Sequence, residues 1–422
     1  MSGQLSSRMN NAQFSQYFVP LLSLGIVVFF QAGSAAETIV VTDIEGHKTN
    51  GTLISWSADK LIVDTGSLQE ISRTTIRSVT FEHPTNGVSG GQSLIWFSNG
   101  DRLSAHPIKV TDDLLTVSWP LLGSVDPKPI PLEKLSAIIF ELPATMFDQY
   151  RLFADLETLP PGSDLVMLIN GDRSTGEFQR LDASFVELKA NKNLLKLDRS
   201  RTRAIRLNPE LTNATRTKSL RFLLSLTDGS RLTATSLESN GDMLEVNSLG
   251  LGKVILSLKN VVSCSLFGGR VIPISDYEPS KVEFTPFLSS TWPLVRNANV
   301  WHGPLVLRGT EFATGLGTHS RMAVTYDLRG HEQAFQSVVG IDDVANGAGS
   351  VVFAVDVDGK RVWTSPELTG KSAVISVPEL TLQGKKKLTL LVDFGQYADV
   401  SDYADWCDAV LIVDSAHSKE EN

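Results

Sequence analysis

Between residues 39 and 267 one short pattern recurs four times, and no other feature restricts the fold as strongly. It reads as a strand, a turn with glycine, a second strand, a polar turn, a third strand and a closing pair. The runs "IVVTDIEGHKTNGTLISW", "LIWFSNGDRLSAHPIKVTDDLLTVSW", "LVMLINGDRSTGEFQRLDASFVELKA" and "RFLLSLTDGSRLTATSLESNGDMLEVNS" open the units. Gly46, Gly100, Gly171 and Gly229 occupy the first turns, where a tight hairpin needs the positive φ that glycine adopts without a Cβ clash. Period-2 alternation flanks them. Such units predict tandem small SH3-like or Sm-like β-barrels at 37–90, 91–143, 164–210 and 218–268. The stretch "LPATMFDQYRLFADL" predicts a short helical connector within 144–163.

The repeats carry no recognisable chemistry. "NGD" at 99–101 and 170–172 and "TDG" at 227–229 set Asp beside a turn glycine, the pattern of a turn former. His47, His83 and His106 lack partners at zinc-ligand spacing. No nucleophile elbow, phosphate loop or zinc-protease motif occurs. A spacer role, or contact with envelope proteins, is the reading that remains for this half.

The N-terminus assigns a compartment. Residues 1–16 carry one charge, Arg8; "YFVPLLSLGIVVFF" follows, and "QAGSAAET" ends the run with small residues. This order reads as a secretory signal peptide, 1–36, cleaved after Ala36. The run is shorter than the roughly 20 residues of a spanning helix, so no stable membrane insertion is expected after cleavage; an uncleaved anchor is the alternative. The mature chain is expected to be secreted, periplasmic or otherwise extracytoplasmic. A formal net charge of −9 without basic blocks argues against nucleic acid as a partner. The two cysteines, Cys264 and Cys407, allow either a single cross-link or two buried thiols.

Residues 269–282 have little periodicity and read as a linker; 416–422 read as a disordered tail. Between them the texture changes. "SVVFAVDVDGKRVWTS" is a hairpin around Asp358-Gly359, and "AVLIVD" is a strand apolar on both faces. The blocks "GLGTHSRMAVTYDLRG", "FQSVVGIDDVANGAGSVVFAVDVDGKRVWTS" and "LTLLVDFGQYADVSDYADWCDAVLIV" resemble the NPCBM family of carbohydrate-binding modules, in order, over 283–415. The resemblance implies a jelly-roll-like β-sandwich with carbohydrate as its partner. The expected fold class is therefore all-β: small barrels, then a sandwich that folds alone. Members of that family often accompany a glycoside hydrolase domain, which the repeats replace here, so a non-catalytic role is expected. An adaptor and an unrecognised glycosidase are the alternatives.

A sugar needs an aromatic face for its C–H side and side chains that make paired, directed hydrogen bonds for its hydroxyls. The stretches "NVWHGP", "GTHSR" and "FGQYADVSDY" offer Trp301, His302, His319, Arg321, Gln396, Tyr397, Asp402 and Tyr403 as ligand-binding candidates. His319 also reads as a hydrogen-bonding turn residue. Trp406 reads as core, with Asp405 and Asp408 capping turns beside it. Asp342, Asp343 and Asn346 offer oxygen ligands for a structural calcium, the one cofactor considered; an Asx-turn pair is the other reading.

Overall fold

The computed structural model describes residues 37–84, 89–122, 127–158, 162–213, 217 and 219–414. The signal peptide and tail assigned to 1–36 and 416–422 lie outside the described residues. Among the described residues no helix is long and apolar enough to cross a membrane.

The first unit contains strands Thr38–Asp43, Lys48–Trp56, Lys60–Asp64, Leu68–Ser72 and Ile76–Phe81, with a single 3-10 turn, Arg73–Thr75, before the last. The first four pair in sequence and the fifth returns to the first, all antiparallel. The third and fourth units repeat this order. In the second unit the second strand is split into Arg102–Leu103 and His106–Thr111. Pro107 follows that break, and Pro129 and Pro131 lie on the unit's fourth strand, which pairs on one side only and so tolerates a missing N–H.

Each unit is bent by the same device. The register between its second and third strands slips at Leu53/Ser55, Pro107/Lys109, Phe178/Arg180 and Ala234/Ser236. A bulge of this kind adds twist and turns a corner in the strand. All four turn glycines have φ between 83° and 93°, as their position requires.

The barrels expected from the repeat do not close. Among the described residues, the fourth strand of each unit pairs only with the third. The fifth strands pair with each other instead: Ile76–Phe81 with Val261–Phe267, and Leu135–Ile139 with Thr202–Arg206. The first unit thus joins the fourth, and the second joins the third. An unpaired edge strand exposes a row of donors and acceptors, and mutual pairing satisfies them. The result is a hydrogen-bonded network of 21 strands over one shared apolar core. Cys264 sits at the first seam, opposite Val79, and both cysteines are free and buried, so the cross-link is absent.

The C-terminal part is a sandwich of two antiparallel sheets. One runs Val295–Arg296, Gly315–His319, Tyr403–Val413, Glu332–Ile341, Ile375–Thr381; the other runs Lys281–Phe284, Met322–Asp327, Lys387–Phe394, Ser350–Val357, Lys360–Thr364. Between them Trp406 is fully buried, its ring 5.1 Å from and edge-on to Phe353. Asp358 and Gly359 both have positive φ, as the hairpin required.

The sandwich begins earlier than the sequence suggested. Within the presumed linker 269–282, strand Val271–Pro273 pairs with Tyr403–Val413, and Ile272, Ile274 and Tyr277 enter the sandwich core. Its outer sheet face is covered as well. Ala334, Val410 and Ile412 pack with Ile44 and Phe267 of the repeats, which explains why "AVLIVD" is apolar on both sides. Arg102 donates to both oxygens of Glu311 at 2.5 and 2.6 Å, Arg221 pairs with Asp276, and Arg77 with Gln336. The helix Met146–Glu157, capped by the Thr145 hydroxyl, lies against the same module, its Tyr150 ring facing the backbone of Gly303.

Candidate functional site

At one end of the sandwich the segment 285–304, irregular except for the strand Val295–Arg296, runs along the strand Gly315–His319. Its shape comes from Asn299, fully buried, whose side-chain oxygen accepts from the amides of Trp301 and Gly303, both at 3.0 Å, while Nδ2 donates to Pro304 O. This Asx turn fixes the backbone on which Trp301 stands.

Trp301 belongs to an aromatic cluster with Trp292, His319 and Tyr403. Trp292 lies parallel to His319 with centroids 4.6 Å apart, and edge-on to Trp301 and Tyr403, each at 5.4 Å. Tyr403 touches Trp301 at 5.9 Å and His319 at 5.8 Å. Edge-to-face pairs at these separations are favourable and hold one another's orientation. Trp292, Trp301 and Tyr403 are half-buried, whereas His319 is 1% exposed beneath Trp292. His319 Nδ1 donates to the Ser320 carbonyl at 2.8 Å, which fixes the tautomer. Burial lowers its pKa, so the ring is neutral at physiological pH.

Beneath this cluster Asp402 ties loops together. One oxygen accepts from the Ser320 hydroxyl and the other from the Ser350 amide at 2.8 Å. Burial raises its pKa to about 6, with a small contribution from Asp399 and an opposing one from the two hydrogen bonds. Ser350 in turn bonds Glu367, and the Gln396 amide donates to Glu367 at 3.0 Å. Gln396 and Tyr397 stand exposed beyond this network, Tyr397 at 79%; Arg321, also exposed, pairs with Asp393 at 3.5 Å. Tyr397, Ala398 and Ser401 all have positive φ, so the loop carrying them is held in an uncommon backbone shape.

The predicted residues therefore separate. Trp301, His319 and Tyr403 come together; Arg321, Gln396 and Tyr397 are exposed on loops of the same sandwich; Asp402 is a buried strut. His302 faces away, into a separate cleft of about 710 Å³ between helix, repeats and sandwich, where burial lowers its pKa and Glu157 partly offsets this. Trp292, the centre of the cluster, escaped the sequence reading. It sits in "SSTWPLV", outside any alternating run and ahead of the resembling blocks, and a lone aromatic in a polar loop was the available signal.

The acidic turn follows the Asx alternative. Asp342 accepts from the amides of Val344 and Val306, and Asp343 from those of Arg308 and Gly309. Asn346 has φ of 49° and ends the 3-10 turn Asp343–Ala345. Among the described residues no group of three or more His, Cys, Asp or Glu is arranged to hold a metal. Asp405 caps no turn: it is fully buried, and burial first, then the charge of Asp342, push its pKa well above the usual carboxylate range.

Residues 271–412 match the NPCBM/NEW2 domain, so the chain carries that domain in its C-terminal third. Over 111 residues, 26% of this chain, it is 35% identical to a Renibacterium salmoninarum protein named "Putative endo-alpha-N-acetylgalactosaminidase", of which it covers 7%. Among solved structures it is similar to a CBM51 module of Clostridium perfringens GH95 in complex with methyl-galactose, at 23% identity and a TM-score of 0.31, over 33% of this chain and 99% of that one. It is also similar to the tandem CBM51 modules of a family 98 glycoside hydrolase from Streptococcus pneumoniae, at 12% identity and a TM-score of 0.30, over 89% and 88%.

Proposed function

We propose that the C-terminal sandwich binds the terminal sugars of a glycan outside the cytoplasm, at the Trp292–Trp301–Tyr403 cluster, without cleaving them. The observation that carries this reading is the half-buried aromatic cluster, in a domain matched to NPCBM/NEW2. The rings offer a face to sugar C–H groups; Arg321 supplies donors, and Gln396 a donor and an acceptor. The rings are already held by one another, so little side-chain freedom is lost on binding.

Catalysis has weak support. Asp402 and Asp405, the carboxylates a glycosidase reading would use, are 1% and 0% exposed, the first held by two hydrogen bonds and the second inside the sandwich. The signal-peptide reading of 1–36 supports a location outside the cytoplasm. A shallow site with a few contacts of about 1–3 kcal/mol each gives micromolar to millimolar affinity.

The test is a glycan array probed with the whole mature chain, followed by calorimetry with methyl galactoside and N-acetylgalactosamine, sugars suggested by the names of the similar proteins. Binding with the sugar recovered intact supports the reading; an array without signal, or cleaved product, overturns it. A second reading, an adaptor for envelope proteins, draws on the outer edges of the fourth strands of the first and third units, unpaired among the described residues, where Leu68 is 70% and Leu194 is 58% exposed. Partner capture abolished by Leu68→Lys, with sugar binding unchanged, would favour it.

A further inference from the structure

We propose that the helix Met146–Glu157 forms part of the same binding site: Phe147 is a second sugar platform beside Trp301, so the site takes a glycan of at least two units. This rests on the sugar-binding reading above and adds a residue from outside the matched domain, which begins at 271.

The helix turns Tyr150, Leu152, Phe153 and Leu156 inward, into a core shared with Leu94, Ala137 and Met167. Phe147 does not join them. Its ring is edge-on to Trp301 at 5.9 Å, yet Phe147 stays 54% exposed, and neighbouring Met146 is 48% exposed. Trp301 therefore lies between two rings, Trp292 at 5.4 Å and Phe147 at 5.9 Å. The aromatic surface thus continues from the sandwich onto the helix.

Its geometry is held from below. Trp301 and Val344 pack against the helix core, and a Cβ at Gly303 would lie 2.5 Å from the Tyr150 ring, so loop and helix fit only with glycine there. A platform fixed by packed elements is preorganised in a way a loose loop is not. Beside Phe147 stand Thr145 and Asp148, both exposed; the Thr145 hydroxyl donates to Asp148 Oδ2 at 2.6 Å, and the carboxylate's remaining lone pairs suit a hydroxyl-rich ligand better than a lipid chain. A second sugar, continuing the chain seated at Trp292 and Trp301, is the occupant this surface fits.

The experiment uses the whole mature chain and two probes, methyl galactoside and a galactose-terminated tetrasaccharide, titrated by calorimetry against wild type, Phe147→Ala and Phe147→Tyr. Far-UV circular dichroism confirms folding. Wild type is expected to bind the tetrasaccharide more tightly than the monosaccharide. Phe147→Ala should lose about tenfold in tetrasaccharide affinity with the monosaccharide unchanged, and Phe147→Tyr should restore it. Equal weakening for both probes, or no change for either, overturns the helix's role while leaving the sandwich site standing. Loss of binding to an apolar dye in Phe147→Ala, with tetrasaccharide affinity intact, overturns it in favour of an apolar docking face. If wild type binds neither sugar, the sugar-binding reading itself fails and takes this one with it.

Discussion

The repeats and the sandwich are both antiparallel β-structure, yet they spend their polar side chains differently. In the repeats these groups close turns and tie one unit's strands to another's, as where Asp101 accepts from Thr233 and Asp228 from the Trp119 indole, so they hold strands in place and no loop surface. Asn99 and Asp101 bond each other across Gly100, Asn170 and Asp172 do the same across Gly171, and Asp228 receives the Ser230 amide. At the cluster end of the sandwich they join segments far apart in sequence: Ser320 to Asp402, Asp402 to Ser350, Gln396 to Glu367. Short-range bonds define a hairpin and little else. Long-range bonds among loops fix them relative to one another, and that is what a binding surface requires.

The strongest way to break this contrast is to empty the sandwich core. Trp406→Ala should cost about 3–5 kcal/mol by chemical denaturation, because a fully buried indole leaves a cavity. A loss below about 1 kcal/mol would mean the sheets are not packed around Trp406. Trp292→Ala should do the reverse. Calorimetry should show sugar affinity falling at least tenfold, about 1.4 kcal/mol, while the unfolding midpoint barely moves. If stability collapses instead, the aromatic cluster is core and carries no site.

A subtler effect concerns Asp402. Its pKa is raised in the folded state, so the fold holds a proton there that the unfolded chain has released. The stability this contributes is complete below about pH 4 and is lost as pH rises through about 6. Asp402→Asn should flatten that part of the profile in thermal unfolding scans between pH 4 and 8; an unchanged slope would assign the pH dependence elsewhere. The smallest effect belongs to the repeats. Asp172→Ala, in an exposed turn, should shift stability by about 0.5 kcal/mol or less, and a larger shift would show that the turn does more than reverse the chain. Without denaturant, alkylation should leave the mass unchanged, since Cys264 and Cys407 are both buried and burial raises both thiols' pKa.

Much of this was legible beforehand. The turn glycines, the connector helix, the Asp358-Gly359 hairpin and the buried Trp406 follow from local rules: positive φ, helical spacing, alternation and a doubly apolar strand. The errors share one cause. The segment 269–282 reads as a linker because Ile272, Ile274 and Tyr277 show no period, and their burial comes from a strand more than a hundred residues later. The repeat suggests closed barrels because each unit's five strands are visible in sequence, whereas the pairing of its fifth strand with another unit's fifth is not.

By itself the sequence determined where the strands turn, which residues alternate and which domain the C-terminal part resembles, because each depends on residues within a few positions of one another. Tertiary structure alone decided that the first unit pairs with the fourth, that the repeats cover the sandwich's outer face, and that Trp292 shields His319. It also decided that Phe147, about 150 residues from Trp301, stands beside it. These outcomes depend on which edges and apolar faces find each other once the chain has collapsed, and hydrophobic burial, being non-directional, leaves that choice to the packing of the whole.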